Sequence, residues 1–330
     1  QTDFFSYIQD ISVPIDLRIQ YNSWYDFMLD INENNILDSF REVERGLTQN
    51  GVRPLDSYVV DDGWNAYGPW QEENKTGFWS FNSKFPNELV TPSDLSHRIA
   101  SDFGLWLGPR GGYNYYIKFA RFLEENGNGK LNRYICTNHK VYLQKMKTFF
   151  LYCQQKFGVN YWKLDGFLVR APQPDPQGNY ISGGYQGMYY VTEHWERWID
   201  ILRAIRDQRG EKRDDLWINL TCYVNPSPWF LQWANSVWMQ NSQDIGRLNV
   251  KRPSQLDQLL SYRDDRYFDF VKTRAFQFPL AHIYNHDPIY GSTAKLAGKM
   301  DDDEFRTYLM MMATRGTAFW ELYYSYNMMN

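Results

Sequence analysis

The stretch Asn160-Tyr161-Trp162-Lys163-Leu164-Asp165-Gly166-Phe167 carries a lysine and an aspartate two positions apart. Val159 to Leu164 is short, β-branched and aromatic, as a buried strand should be, and Gly158 before it ends a helical run. Side chains alternate along a strand, so Lys163 and Asp165 point to the same side. A nearby cation favours the ionised form of a carboxylate, and an ionised, oriented carboxylate can act as a nucleophile. The plainer reading is a buried ion pair closing a strand.

A second carboxylate, Asp244 in Asn241-Ser242-Gln243-Asp244-Ile245-Gly246, follows another strand candidate. Placed across a common mouth, Asp165 as nucleophile and Asp244 as acid/base would form the pair of a retaining glycosidase, with carboxyls about 5–5.5 Å apart. The acid/base must start the cycle protonated, so the pKa of Asp244 is expected to be raised. Asp61 and Asp62 in Asp61-Asp62-Gly63-Trp64 need a different role, since more anions would spoil the nucleophile. Hydrogen-bonding two sugar hydroxyls suits them, and a strand-end turn suits Asp-Gly equally well. Trp24, Trp64 and Trp106 at strand ends are either a sugar-stacking wall or core. His286 and Asp287 before Pro288 are either substrate contacts or a loop turn. Cys222 reads as a small buried filler.

These residues need elements to hold them. Strand candidates are Leu17–Trp24, Ser57–Val60, Leu105–Gly108, Val159–Leu164, Leu216–Cys222, Ser236–Gln240, Ala275–Ile283 and Ala318–Tyr323. Helical spacing falls between most of them: Asn34–Asn50, Ser93–Asp102, His139–Phe157, Val191–Arg209, Ser254–Lys272 and Asp302–Thr314. Residues 113 to 138 read as irregular, and the segments 65–86 and 171–187 as long loops. Eight strands alternating with helices predict a parallel sheet closed into a (β/α)8 TIM barrel with long βα loops. The flagged polar residues follow strands two, three, four, six and seven, which is the catalytic face of such a barrel. Residues 1–16 are expected to be a lead-in segment and 17–330 the catalytic barrel. The chain stops shortly after strand eight, which predicts a piece of a longer polypeptide.

Composition narrows the partners. The 330 residues are 43% hydrophobic and 18% aromatic, with 13 Trp, 25 Tyr and 21 Phe, enough for one large core and in favour of a carbohydrate partner. A net charge of −4 argues against a nucleic-acid or anionic-membrane surface, and no apolar run approaches the roughly 20 residues of a membrane span. Three cysteines, Cys136, Cys153 and Cys222, make neither a disulfide framework nor a metal-ligand spacing. No cofactor is called for, and neither compartment nor oligomeric state is readable. Two other readings compete with a glycosidase. One is a sugar-binding barrel without catalysis, against which the intact Asp165, Asp244 and Lys163 speak. The other is a metal-dependent barrel using Asp61, Asp165 and Asp244, against which the Lys163 cation speaks.

Taken in order, Asn22-Ser23-Trp24, Val60-Asp61-Asp62-Gly63-Trp64, residues 103–112 (FGLWLGPRGG), residues 161–167 (YWKLDGF) and residues 241–245 (NSQDI) resemble the clan of α-galactosidases and α-N-acetylgalactosaminidases, glycoside hydrolase families 36 and 27. The resemblance covers most of the chain. It implies Asp165 as nucleophile, Asp244 as acid/base, Asp61 and Asp62 on the 4- and 6-hydroxyls, and Lys163 on a neighbouring hydroxyl. It implies further that Cys222, Tyr223 and residues 224–229 lie near carbon 2 of the sugar; there the bulk of Tyr223 either crowds an acetamido group and favours a plain hydroxyl, or lies flat and packs against the acetyl methyl. Arg110, Gln240, Asn241 and His286 complete the candidate substrate-binding set. The implied partner is an oligosaccharide or glycoconjugate ending in an α-linked galacto-configured sugar. The chain departs from the families in places. Gly166-Phe167 replaces the family 36 ending, Phe167 stands where family 27 often has Cys, Gln240 lies where family 27 has an Arg, and Pro109-Arg110 replaces Pro-Glu.

Overall fold

A computed structural model of the chain describes residues 1–68, 78–109, 111–112, 116–128, 139–167, 185–222, 226–239, 242–244, 246, 248–290 and 300–326. Its elements run α1 (Thr2–Ile11), β1 (Arg18–Asn22), α2 (Trp24–Phe27), α3 (Glu33–Gln49), β2 (Ser57–Val60), α4 (Val90–Arg98), β3 (Asp102–Leu107), α5 (Tyr116–Glu125) and α6 (Lys140–Phe157). They continue with β4 (Val159–Phe167), α7 (Tyr185–Gln208), β5 (Trp217–Cys222), β6 (Ser236–Trp238), α8 (Gln255–Phe268), β7 (Ile283–Tyr284), β8 (Ile289–Tyr290), α9 (Asp302–Ala313) and β9 (Phe319–Tyr324). The strands form one sheet of nine, in the order β7-β6-β5-β4-β3-β2-β1-β9-β8. All pairings along it are parallel. The chain is thus α/β with a parallel sheet, as expected, but with nine strands where eight were predicted. The two ends of the order, β7 and β8, are consecutive in the chain. Backbone N–H groups of Ala318, Glu321 and Tyr323 donate to the carbonyls of Ala281, Asp287 and Pro288 at 3.0, 3.0 and 3.1 Å.

Local signals account for most element ends. Asn32 and Asn35 form a reciprocal capping box at the start of α3, Ser254 and Asp257 do so at α8, and Asp301 and Glu304 at α9. Gly158, in the left-handed region at φ 62°, ends α6 and delivers the chain directly into β4. The period of two along the strands then sorts side chains into two cores. Val60, Leu105, Trp162, Leu164 and Leu220 pack outward with helix residues such as Phe40, Phe150 and Leu202. Their neighbours Val59, Tyr161, Trp217, Tyr284 and Phe319 form a separate, smaller cluster on the other side of the sheet. Each fully buried side chain of this size stabilises the fold by about 1.5–3 kcal/mol.

Several predictions of local structure are corrected. The lead-in segment holds α1, and α5 lies inside the stretch read as irregular, where Phe119, Ala120 and Leu123 are fully buried. Ser93 does not cap α4; its hydroxyl bonds to the carbonyl of Phe157 at 2.7 Å. The strand expected over 275–283 shrinks to Ile283–Tyr284: Ala275 sits at φ 49° and residues 280–282 form a 3-10 turn after Pro279. Trp24 opens α2 instead of ending β1. Among the described residues no helix is long and apolar enough to cross a membrane.

Candidate active site

The side chains on the inner side of the sheet grow polar towards the strands' C-terminal ends. Lys163, 2% exposed on β4, donates to Oδ2 of Asp61 at 2.8 Å and to the Tyr323 hydroxyl at 3.3 Å. Asn22 on β1 bridges the same Asp61 oxygen at 2.8 Å and Oε1 of Glu321 at 2.7 Å. Glu321 on β9 is fully buried and accepts further from Gln20 and Tyr161 at 3.1 Å each and from Tyr284 at 2.6 Å. Burial opposes the charge on Lys163, but Asp61, Glu321 and Asp165 outweigh it and hold the ammonium above the ordinary lysine range. Burial likewise opposes the charge on Glu321. Lys163 and the hydroxyl and amide donors prevail and lower its pKa.

Asp61 and Asp62 follow β2 on a turn that only glycine can make. Gly63 has φ 118°, and a Cβ there would lie 2.9 Å from both the Leu29 carbonyl and the Ile31 side chain. The Asp61 N–H is taken by the Ser23 hydroxyl at 3.0 Å, and the Asp62 N–H by Oδ1 of Asp61 at 2.8 Å. Oδ1 of Asp62 accepts the Tyr67 hydroxyl at 2.6 Å. Burial, reinforced by Asp62, raises the Tyr67 pKa well above normal, so this hydroxyl stays a donor. Gly112 presses against the pair, leaving no room for a side chain. Asp165 is 8% exposed on β4, and its Oδ2 accepts Nε1–H of Trp106 at 3.3 Å.

Asp244 follows β6 with a third of its side chain exposed. Its Oδ1 lies 2.7 Å from Nδ1 of His286, its Oδ2 accepts the Tyr25 hydroxyl, and its backbone carbonyl accepts from Arg263 at 3.1 Å. Burial would raise the pKa of this carboxyl. His286, Tyr25 and Arg263 together overcome it and hold Asp244 below the usual carboxylate range. The expectation of a raised value is therefore reversed. Its physical reason, a histidine and a tyrosine hydroxyl at the carboxyl with the Arg263 charge nearby, lies in residues distant in sequence.

The structure thus brings Asp61, Asp62, Lys163 and Asp165 together at the ends of β2 and β4. Asp244 and His286 join them through the Tyr25 and Tyr323 rings, whose centroids are 5.2 Å apart. Trp64 is fully buried, stacked on Phe149 with Nε1 donating to the Trp106 carbonyl at 3.0 Å, and belongs to the core. Trp106 is also buried, but its indole N–H reaches Asp165. Trp24 is half-buried, its backbone N–H donating to Oδ1 of Asn22 at 2.8 Å. Cys222 ends β5, its backbone in register with Phe167. Arg110, Tyr223, Gln240 and Asn241 lie outside the described residues.

Sequence reasoning missed Glu321, Tyr25, Asn22, Tyr323 and Arg263. A lone acid inside the aromatic run Phe319–Tyr324 was the available signal for Glu321. Among the described residues no three His, Cys, Asp or Glu side chains are grouped to hold a metal ion.

No protein-family model matches the chain, and no curated protein matches it. Solved structures do. The family 36 α-galactosidase of Geobacillus stearothermophilus is similar with a TM-score of 0.54 and 14% identity, over 92% of this chain and 42% of that one. An α-galactosidase from Thermus thermophilus in complex with stachyose gives 0.58 and 15% identity, over 98% of this chain and 64% of that one. The α-galactosidase from Lactobacillus brevis gives 0.54 and 13%, over 91% and 40%. The chain spans less than two thirds of each of these proteins. At such identities the likeness is one of fold, and it is the fold that the sequence motifs resemble.

Proposed function

We propose that this chain is the catalytic barrel of a retaining exo-glycosidase that removes terminal α-linked galactose by double displacement. The observation that carries the reading is the gathering of Asp61, Asp62, Lys163 and Asp165 at one end of a parallel sheet, with Asp244 beyond Tyr25 and Tyr323. The neighbours' fold, and the stachyose and p-nitrophenyl α-D-galactopyranoside held by the Thermus thermophilus α-galactosidase, support it. We read the sheet as a closed (β/α)8 barrel in which β9 is the eighth strand and β8 an added rung on it. The adjacency of β7 and β8 in the chain supports closure.

In this reading Asp61 and Asp62 bind the sugar's 4- and 6-hydroxyls. Lys163 donates to Oδ2 of Asp61 at 2.8 Å and fixes the orientation of that carboxyl. A buried acceptor left unpaired is costly, so an equatorial 4-hydroxyl is rejected and α-galactosides are preferred to α-glucosides. Asp165, held by the Trp106 indole, attacks the anomeric carbon as Asp244 protonates the departing oxygen. Water, deprotonated by Asp244, then cleaves the glycosyl ester with the original configuration restored. A panel of α-linked galactosides, N-acetylgalactosaminides, galactosaminides and glucosides, with the first-formed product anomer followed by NMR, tests the reading. Release of α-galactose is expected. Inversion, or indifference to the 4-hydroxyl, would refute it, and binding without turnover would favour a sugar-binding barrel.

A further inference from the structure

Asp244 has a setting that a lone carboxylic acid does not need. Arg263 on α8 is 1% exposed and clamps the two loops that meet there. From the loop after β6 it takes the Ser242 hydroxyl and the carbonyls of Gln243 and Asp244, the carbonyls at 3.0 and 3.1 Å. In the loop after β7 it donates to Oδ1 of Asn285 at 3.1 Å and forms an ion pair with Oδ2 of Asp287 at 3.2 Å. Asp287 is fixed in turn by the Tyr308 hydroxyl at 2.7 Å and by Arg315 at 3.1 Å. One buried guanidinium therefore sets the approach of His286 to Asp244.

The His286 ring is only 8% exposed and is enclosed by Tyr25, Tyr284 and Tyr323, with ring centroids at 6.1, 5.1 and 5.4 Å. The charged group in contact with it is Asp244, whose backbone carbonyl Arg263 holds from α8. Behind the tyrosines stand Glu321, which accepts from Tyr284 and Tyr323, and Lys163, which donates to Tyr323. Asp287 is its chain neighbour and is already paired. Nδ1 lies 2.7 Å from a carboxylate oxygen without a well-aligned hydrogen bond, and a bare lone pair there would meet like charge where a protonated ring would be attracted.

We propose that His286 is a positioning residue that shares the catalytic proton with Asp244, so that the Asp244–His286 pair, and not Asp244 alone, is the acid/base unit. The inference rests on the glycosidase reading of Asp244. Before reaction the pair is an imidazolium beside a carboxylate. As the glycosidic bond breaks, the Nδ1 proton passes to the Asp244 carboxyl. A carboxyl proton goes to the departing oxygen, which leaves as an alcohol. The pair is left as neutral imidazole and carboxylate, one proton poorer. In the second step a water molecule gives one proton back to the pair, and its oxygen bonds to the anomeric carbon as the ester to Asp165 breaks.

Two measurements test this. In the wild-type chain, ¹⁵N shifts of the His286 ring, assigned by their loss in His286→Gln, should report both nitrogens protonated at the pH of maximal rate. Loss of the ring proton should share its midpoint with the alkaline limb of kcat/KM. In His286→Gln that limb should move to lower pH by about one unit or more, since Asp244 must then hold the proton unaided. A purely structural role would instead lower the rate by one factor at every pH. A ring already neutral at the pH of maximal rate, or an alkaline limb unmoved in the variant, would overturn the proposal. If the wild-type chain leaves every α-galactoside intact, the galactosidase reading fails on that ground, while the ring's protonation still decides whether the proton is shared.

Discussion

Nζ of Lys163 lies 2.8 Å from Oδ2 of Asp61, with the two side chains 3% and 2% exposed, so β4 and the end of β2 are joined by an ion pair sealed from water. The same ammonium is the cation for Glu321 and Asp165 as well. Desolvating several charges is affordable only where hydrogen bonds complete each one, and here Asn22, Tyr284 and Tyr323 do so.

Lys163→Met keeps the volume of the side chain and removes its charge, leaving Asp61 and Glu321 buried without a cation. Breaking a buried pair in this way costs about 3–5 kcal/mol. Urea unfolding at neutral pH should show that loss. A change under about 1 kcal/mol would mean that the site rearranges to hydrate its acids.

The pH dependence of stability follows from Glu321 and Asp244, whose pKa values in the folded chain both lie below their ordinary values of 4.5 and 3.8. A depressed carboxyl stabilises the fold above its unfolded pKa, and that contribution disappears as pH falls through the folded value. Stability should therefore drop steeply on acidification below about pH 4.5. Glu321→Gln, which cannot titrate, should flatten this acid slope while lowering stability at neutral pH. Denaturant unfolding across the acid range measures both, and equal slopes in the two proteins would exclude Glu321 as a source.

The acids that follow strands were legible because a polar residue after an apolar run stands out. Asp61, Asp62 and Asp244 stood out in this way, as did the parallel α/β alternation, whereas Asp165, read as following a strand that ends at Leu164, lies inside β4 (Val159–Phe167). Glu321 was hidden inside its strand, where Phe319-Trp320-Glu321-Leu322-Tyr323-Tyr324 reads as core. Arg263 was hidden for the opposite reason. The run Tyr262-Arg263-Asp264-Asp265-Arg266 looks solvated, yet this one side chain turns inward beneath the loop carrying Asp244. The lowered pKa of Asp244 was unreadable for the same cause, since the groups responsible come from the loop after β7, α2 and, through its charge, α8. The extra strand β8 is two residues long, too short to leave a periodicity.

If Asp165 is the nucleophile, Asp165→Asn leaves a side chain of the same shape that still accepts the Trp106 N–H but cannot form an ester. Turnover should vanish with the fold intact by circular dichroism. Azide should restore cleavage of an activated aryl galactoside, giving the β-galactosyl azide. Undiminished activity in the variant would remove Asp165 from the reaction.

Asp244→Ala should separate substrates by their need for a proton. Galactosides with sugar leaving groups should slow by about 10²–10⁴-fold, the usual contribution of a positioned acid. Activated aryl galactosides should slow far less in the glycosylation step. Equal losses on both kinds would make Asp244 a binding residue.

Gly112 offers a test of the proposal that Asp61 and Asp62 bind the sugar, and of how closely they must be held. A Cβ built on it would fall 1.6 Å from the Tyr67 hydroxyl and 2.8 Å from Oδ2 of Asp62. Tyr67 cannot retreat easily, because its ring packs edge-on against Phe119 at 5.2 Å and Trp79 at 6.4 Å. In Gly112→Ala the hydroxyl must therefore swing off Asp62, and Asp62 must shift with it. Misplacing a positioning group by about 1 Å costs on the order of 10²-fold, so kcat/KM for α-galactosides should fall by about that factor. Selectivity for galacto- over gluco-configured substrates should weaken too, because the displaced carboxylate no longer reads the hydroxyls. Tyr67→Phe in the Gly112→Ala background removes the atom in closest conflict and should recover part of the loss. A Gly112→Ala enzyme with full activity and unchanged selectivity would show that Asp62 does not hold the sugar.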